Sequence, residues 1–266
     1  MVVTFERIAA EIKKLKQPSV LHQKYISQQT KNPNISKNNQ ISVKVDRLFI
    51  CVRDGKRAIS FLEELGLKSS QSVIRSVSQG TLSKIFFFNN LYLEVIWLEK
   101  EIEPNREELG TSINFNSRTN WQQTNTSPFG VGIVNDCDKN NTLLDTSIIN
   151  DLIIDNLFCY FQQNHKNCLE PFIFLLPEYL TIQNSLNQLT KSKAIAHSSG
   201  VHDITNITIK FAKGRRRSSN ILKLLQNNSI IQIEYAEAPL IELTFDGGIN
   251  NKSIDARPIL PLILKY

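Results

Sequence analysis

Residues that bind transition metals or form disulfides are scarce in this chain. Its 266 residues include four cysteines and four histidines, and no two cysteines have the CxxC spacing. A disulfide scaffold is excluded because such scaffolds need cysteines at high density. The sequence also lacks a Gly-x-Ser-x-Gly elbow, a glycine-rich phosphate loop and a His-Glu-x-x-His helix. These absences exclude the enzyme classes that depend on those motifs.

Long hydrophobic runs are missing as well. The densest apolar run, 171–177, has the length of a strand, whereas a membrane-spanning helix needs about 20 residues. Charged residues such as Glu6, Arg7 and Glu11 interrupt the first two dozen positions, so a signal peptide is not expected. The hydrophobic content of 41% is that of a globular protein. We therefore expect a soluble, cytoplasmic protein with no membrane partner.

The chain is basic, with a formal net charge of +6. This charge permits contact with nucleic acid without requiring it. The one dense basic cluster is Gly214-Arg215-Arg216-Arg217, in a predicted turn before a helix. No aromatic residues interleave with these arginines, so we interpret the cluster as a solvated loop in preference to a phosphate-binding patch. Nucleic acid is not an expected partner.

Two segments of the chain share a pattern of strand, glycine, helix and, further on, an apolar strand with one glutamate. Placing Arg47 over Asn206 gives an offset of 206 − 47 = 159, and Gly55 then coincides with Gly214. The later strands align with Glu94 over Glu242, at an offset of 242 − 94 = 148. A duplicated unit with a charge at equivalent positions predicts two halves that share one site.

Periodicity and turn residues predict the organisation of the chain. The predicted strands of the first unit are 46–52, 73–77, 82–88 and 92–98, with a helix over 57–65; those of the second are 204–211, 230–235, 240–245 and 260–264, with a helix over 219–225. The predicted parts are an N-terminal amphipathic helix and polar linker (1–43), a first βαβββ module (44–135), a connecting segment (136–199) and a second βαβββ-like module (200–266).

A family resemblance rests on several short blocks in a fixed order. These blocks are Val45–Ile50, Gln79–Thr81, Phe86–Phe88, Tyr92–Glu94, Ser127–Gly130, Glu170-Pro171, Glu242–Gly247 and Arg257–Leu262. With them, the chain resembles the glyoxalase-like domain proteins of the vicinal oxygen chelate superfamily. The resemblance implies an α+β fold in which two fused βαβββ modules form curved mixed sheets around a cavity. It also implies a small-molecule ligand and, if the protein is an enzyme, a lyase or isomerase.

Two glutamates are the leading candidates for a site. Glu94 and Glu242 each lie among apolar neighbours, where a carboxylate without a partner is costly. They are either the catalytic bases, which would also be the ligands of any bound metal, or structural carboxylates paired with arginine or backbone donors. Both interpretations remain open on the sequence alone.

The resemblance also implies that the usual metal site is altered. Metal-dependent members place a histidine on the first strand, where this chain has Arg47 and, in the second unit, Asn206. Arginine does not bind metals and asparagine is a poor ligand for transition metals. Arg47 could instead pair with Glu94 or bind a substrate carboxylate. The expected cofactor is therefore none, or a divalent metal ion whose ligands come from elsewhere.

Four residues are predicted to bind the substrate: Arg47, Gln79, His197 and Asn206. The substrate class is a small carbonyl or carboxylate compound. Three alternatives stay open: a metal-dependent lyase or dioxygenase of the same superfamily, a non-catalytic protein that sequesters its ligand, and an interaction role for residues 1–40. Paired units in one chain can complete the cavity, so a monomer is as compatible as a homodimer.

Overall fold

The computed structural model describes residues 43–100, 113–135, 148, 150–154, 159–176, 181, 195–214 and 217–266. Over these residues the fold is mixed α+β, as predicted, with 13 strands in two mixed sheets. Within these ranges, no helix combines the length and apolarity that crossing a bilayer requires. The predicted N-terminal helix and most of the linker, residues 1–42, lie outside the described residues.

The first half of the larger sheet, sheet A, is one βαβββ sequence of elements. It consists of β1 (Val43–Cys51), α1 (Gly55–Glu64), β2 (Ile74–Ser76), β3 (Thr81–Phe87) and β4 (Tyr92–Leu98). The spatial order is β2-β3-β4-β1. β1 runs parallel to β4, and the other two pairs are antiparallel. The first and last strands of this unit therefore lie side by side.

The second half of sheet A has the same strand order as the first. Its elements are α2 (Phe115–Thr119), α3 (Trp121–Thr124), β5 (Phe129–Asn135), β6 (Leu152–Ile154), β7 (Cys159–Phe161), α4 (Gln162–His165) and β8 (Phe172–Leu175). Its strands stand in the order β5-β8-β7-β6, with β5 parallel to β8. An antiparallel pairing of β1 with β5 joins the two halves, so the eight strands are arranged about an approximate twofold axis between β1 and β5.

Sheet B is built from the C-terminal part of the chain. It contains β9 (Ile204–Phe211), α5 (Asn220–Leu225), β10 (Ile231–Tyr235), β11 (Leu240–Phe245), a 3-10 turn (Asp246–Gly248), β12 (Ser253–Asp255) and β13 (Leu262–Lys265). The strand order is β10-β9-β11-β13-β12. β9 pairs with β10 in parallel and with β11 antiparallel.

The main hydrophobic core contains side chains from one face of each sheet. One cluster of buried residues combines Leu48, Ile50, Leu93 and Val95 of sheet A with Ile207, Ile209, Ile241 and Leu243 of sheet B, together with Leu62 of α1 and Leu222 of α5. Alternation along each strand then directs the intervening residues to the opposite faces. The outer face of sheet A, on the side away from this core, carries the pocket described below.

Helix α1 is specified by local signals in the sequence. Asp54 caps its first turn by accepting a hydrogen bond from the Arg57 backbone N–H at 3.0 Å. Ala58, Ile59 and Leu62 are buried along one side. Gly66 follows the helix with a φ of +84°, the left-handed conformation that commonly ends helices. The helix is therefore anchored at both ends beside the pocket-bearing strands.

A β-bulge in β1 reverses the direction of its side chains. The pairing with β5 shifts between Val45 and Arg47, so Asp46 is the extra residue. Before the bulge, Val45 packs into the main core; after it, Leu48 does. The shift by one residue directs Arg47 to the outer face of sheet A.

The predicted repeat is wrong at the level of strand pairing. It equated β1 with β9 and β4 with β11, but β1 is parallel to β4 whereas β9 is antiparallel to β11. The counterpart of residues 43–98 in strand order is the segment from β5 to β8. The physical reason is that an apolar, buried strand shows the same residue pattern whichever strand it pairs with. The elements themselves were predicted well: β4, β9 and β11 have the predicted bounds.

Candidate functional site

A small pocket opens on the outer face of sheet A, across β1, β3 and β4. It is lined by six polar residues, Arg47, Ser76, Gln79, Thr81, Ser83 and Glu94, and by six apolar residues, Phe49, Ile74, Ile96, Ile113, Phe115 and Phe174. Its volume is about 30 Å³. By the usual space requirement of buried water this is room for about two water molecules, or a group the size of a carboxylate.

Three of the residues predicted for the site come together here. Arg47, Gln79 and Glu94 all line this pocket. Arg47 and Glu94 lie on the adjacent strands β1 and β4, where Phe49 is the register partner of Glu94. Both charged side chains are nearly buried, with exposed fractions of 8% for Arg47 and 9% for Glu94.

The carboxyl group of Glu94 is held by a neighbour on β3. The Ser83 hydroxyl donates a hydrogen bond of 2.6 Å to Glu94 Oε1. Burial raises the pKa of Glu94, and the Ser83 hydrogen bond and the positive charge of Arg47 oppose this shift without cancelling it. Glu94 therefore takes up a proton at higher pH than an exposed glutamate. That property suits a residue that transfers protons near neutral pH.

Two contacts help to orient Arg47. Its Nε lies 3.4 Å from Asp46 Oδ2, and its guanidinium carbon lies 4.6 Å from the centre of the Tyr92 ring. A guanidinium over an aromatic face is attracted by the electrons of the ring. Burial raises the pKa of Tyr92 far above its ordinary value, so this tyrosine stays neutral. Arg47 thus brings a permanent positive charge to the pocket.

The aromatic side of the pocket depends on two glycines in β5. Phe49 packs between Phe115 and Phe174, with ring centres 6.1 and 6.2 Å away. A Cβ at Gly130 would overlap the Phe49 ring, and a Cβ at Gly132 would overlap the aliphatic part of Arg47. The glycines therefore allow Arg47 and Phe49 to lie across β5.

Glu242 lies elsewhere, on sheet B. Its Oε1 is 2.7 Å from Lys210 Nζ and its Oε2 is 2.6 Å from Lys265 Nζ. Burial opposes ionisation of Glu242, but the hydrogen bonds and charges of the two lysines outweigh it and lower its pKa. The two candidate glutamates were predicted to share one site; the structure instead pairs Glu242 with lysines that do not line the Glu94 pocket.

We predict that Glu242→Gln lowers stability at pH 7 by about 1 kcal/mol, a modest value because both lysines are partly exposed and screened by solvent. A glutamate with a lowered pKa contributes stability above its ordinary value of 4.5, and this contribution is lost as the pH falls through the folded-state pKa. The difference between wild type and variant should therefore shrink on acidification. Urea unfolding at pH 7 and pH 3.5 measures this, and a difference that grows in acid would contradict it.

His197 and Asn206 also lie away from the Arg47 pocket. His197 Nδ1 accepts the Lys68 backbone N–H at 2.8 Å, and Nε2 lies 2.9 Å from the Phe87 carbonyl oxygen. Nε2 therefore carries the proton, and the ring joins residues 195–200 to the first half of sheet A. Burial lowers the pKa of His197, in keeping with a neutral ring. Asn206 Nδ2 donates to Thr208 Oγ1 at 3.4 Å, within β9.

Metal ligation by the described residues has little support. No group of three or more His, Cys, Asp or Glu side chains within the described ranges is arranged to hold a metal ion. In the pocket itself, Glu94 is the one side chain of these four types. A metal site at Glu94 would therefore need ligands from residues beyond the described ranges or from the ligand itself.

Several pocket residues were missed by the sequence analysis. Ser83 and Thr81 sit on the pocket face of β3, and Phe115 and Phe174 come from α2 and β8. For Ser83 a signal existed, because it alternates with the core residues Leu82 and Phe86 along a predicted strand. No local pattern could have placed Phe174, because its position depends on the pairing of β5 with β8.

Comparisons with known proteins bear on the fold alone. No protein-family model matches the chain, and no curated protein matches it. Among solved structures, the chain is similar to "a hypothetical protein from Staphylococcus aureus", with 13% identity and a TM-score of 0.51, over 84% of this chain and 99% of that chain. Residues 1–203, which precede the first strand of sheet B, are 203/266, about 76% of this chain, so a match over 84% must extend into sheet B. The similarity therefore supports a mixed α+β fold that includes both sheets.

Proposed function

We propose that this chain is a glyoxalase-like protein that binds the carboxylate or carbonyl group of a small metabolite between Arg47 and Glu94. The observation that carries the proposal is the convergence of a buried guanidinium and a buried carboxyl group, with Gln79, on one pocket. Charged groups are costly to bury, and in such an arrangement they commonly serve a ligand or a reaction.

The strand order of sheet A supports membership of the vicinal oxygen chelate superfamily. Two units with the orders β2-β3-β4-β1 and β6-β7-β8-β5 meet at β1 and β5, and the candidate site lies on strands of the first unit. In this proposal the paired modules are residues 43–98 and 129–175, and sheet B is an additional element. Fold alone does not decide the reaction, so the reaction has to be inferred from the residues of the pocket.

The pocket residues fit acid–base chemistry next to a carbonyl group. Arg47 would bind the carboxylate or the carbonyl oxygen of the substrate and stabilise negative charge that develops there. Glu94 would take a proton from the neighbouring carbon and return it to a different carbon. This sequence is an isomerisation; loss of a leaving group from the same intermediate would make it a lyase reaction. The raised pKa of Glu94 makes its carboxylate a stronger base for the first of these proton transfers.

Two alternative functions would use the residues of the same pocket differently. A metal-dependent lyase or dioxygenase would use Glu94 as a ligand, with Arg47 beside the cation, which is electrostatically unfavourable. A sequestering protein would need only Arg47 and the aromatic wall formed by Phe49, Phe115 and Phe174. Ligand binding without turnover would favour the sequestering protein, and stoichiometric metal that is lost in Glu94→Gln would favour the metal enzyme.

Substitution of Arg47 tests the proposal. We expect Arg47→Gln to weaken binding of small carboxylates by about 30-fold, the effect of losing a charge-assisted contact worth about 2 kcal/mol. Ligand-observed NMR with a panel of 2-oxo acids and 2-hydroxy acids measures this. Arg257→Gln is the matched control, because Arg257 is exposed and paired with Asp255 on sheet B. Equal affinities for both variants would contradict the proposal.

A further inference from the structure

A second cavity lies in sheet B, beyond the carboxyl ends of two parallel strands. β9 ends at Phe211 and β10 ends at Tyr235, and these two residues are register partners. The lining of the cavity includes Glu170, Phe211, Lys213, Arg217, Ser218 and Tyr235. Its volume of about 160 Å³ is several times that of the Glu94 pocket. Ligands in α/β structures commonly bind at the carboxyl ends of parallel strands.

The charges at this cavity favour an anion. Lys213 and Arg217 both line it, and neither forms an ion pair with a carboxylate of the described residues. By contrast, Lys210, one residue before the end of β9, forms ion pairs with Glu234 and Glu242. Among the described residues, no carboxylate forms an ion pair with either of these two cationic side chains.

The cavity also offers hydroxyl groups. Ser218 Oγ and Tyr235 Oη lie 3.1 Å apart at its edge, and Lys213 Nζ is 5.5 Å from the centre of the Tyr235 ring. Tyr235 is 48% exposed, so the cavity is in contact with solvent at this residue. Hydroxyl donors beside lysine and arginine are the groups that bind phosphate oxygens.

One carboxylate, Glu170, lies in the wall, but its oxygens are occupied. Its Oε1 accepts from the Ser219 backbone N–H at 2.9 Å and from Asn167 Nδ2 at 3.0 Å. Its Oε2 accepts from Ser219 Oγ at 2.6 Å and from Asn164 Nδ2 at 2.9 Å. Four donors compensate its charge, and the two bonds to Ser219 tie the start of α5 to the segment 164–170. Glu170 therefore shapes the cavity and does not pair with Lys213 or Arg217.

We propose that this cavity binds the phosphate group of a small phosphorylated metabolite, with Arg217 and Lys213 as charged partners and Ser218 and Tyr235 as hydroxyl donors. The volume has room for roughly ten water molecules, which suffices for a phosphate and a short organic portion. A concave site of this size suits a small ligand better than an extended polyanion. The site is independent of the Arg47 pocket, so either proposal can fail without the other.

Titration with inorganic phosphate and with glycerol phosphate, followed by amide NMR shifts, tests this site. We expect saturable shifts centred on residues 211–214, 217–218 and 235, against a chloride control of equal ionic strength. Arg217→Gln should weaken binding about tenfold, the loss of one charge-assisted contact. The spectra also show whether each variant is folded.

Lys252→Gln is the matched control, because Lys252 lies 5.7 Å from the ring centre of Tyr266, in the same kind of contact as Lys213 with Tyr235. Its phosphate affinity should equal that of the wild type. Shifts spread over the whole surface, or equal affinities of the Arg217→Gln and Lys252→Gln proteins, would mean adventitious anion binding only and would overturn the proposal.

Discussion

Replacing Gly130 by alanine is expected to destabilise the protein by about 3 kcal/mol and to abolish ligand binding in the Arg47 pocket. The added methyl group would overlap the Phe49 ring, which is packed between Phe115 and Phe174 and has nowhere to move without displacing them. Overpacking of this kind typically costs 1–3 kcal/mol. Gly130 has no positive φ, so the effect comes from the side-chain overlap and not from backbone strain. Urea unfolding and ligand titration measure the two effects.

A double substitution separates overlap from other causes. In Gly130→Ala/Phe49→Leu the ring is gone, so the two changes should cost at least 1 kcal/mol less together than the sum of their separate costs. Gly80→Ala serves as control, since an added Cβ there meets nothing within 4 Å. Its φ of +63° predicts a backbone cost of about 1–3 kcal/mol, which Phe49→Leu should leave unchanged. Additive costs of the Gly130 and Phe49 changes would contradict the described packing.

The second large effect concerns Glu94. Because the pKa of Glu94 is raised in the folded protein, its contribution to stability is full below the ordinary value of 4.5 and is lost as the pH rises through the folded-state pKa. Glutamine stays neutral at every pH and retains an oxygen for the Ser83 hydroxyl. We therefore expect Glu94→Gln to be more stable than wild type at pH 8, by roughly 0.5–2 kcal/mol as for other stabilising substitutions at functional sites, and equal to it at pH 4.

The same substitution at Glu242 is expected to change stability in the opposite direction. Its pKa is lowered, so Glu242→Gln should be less stable than wild type at neutral pH. Thermal unfolding of the two variants and the wild type between pH 4 and pH 8 measures how the stability of each depends on pH. If Glu94→Gln were also less stable than wild type at pH 8, Glu94 would be a structural carboxylate and the proposed proton-transfer role would fail. If Glu94 is the catalytic base, turnover is also lost in Glu94→Gln.

Local patterns predicted the elements and part of the site. The run Tyr92–Leu98 is apolar except for one glutamate, which is sufficient to predict a buried strand with a chemically important residue. The same reasoning located β9 and β11 with their observed bounds. For Arg47, the sequence shows two polar residues in a row between the apolar residues Val45 and Leu48, which breaks the alternation of a regular strand. The pairing with β5 is needed to identify this break as a β-bulge.

Strand partners could not be predicted in the same way. Glu94 and Glu242 occupy similar apolar strands, yet one lies beside β1 in sheet A and the other beside β9 and β13 in sheet B. Their ionisation differs for that reason: Ser83 and Arg47 leave burial dominant at Glu94, whereas two lysines dominate at Glu242. Pairing depends on long-range packing, which a short sequence pattern does not contain.

The most direct test of the account is a crystal structure of the protein with pyruvate, the simplest molecule that carries both a carboxylate and a carbonyl group. The account predicts a pyruvate oxygen at roughly 3 Å from the Arg47 guanidinium and its methyl carbon facing Glu94. A metal ion bound to Glu94 with Arg47 turned away, or pyruvate bound at any place except this pocket, would contradict it.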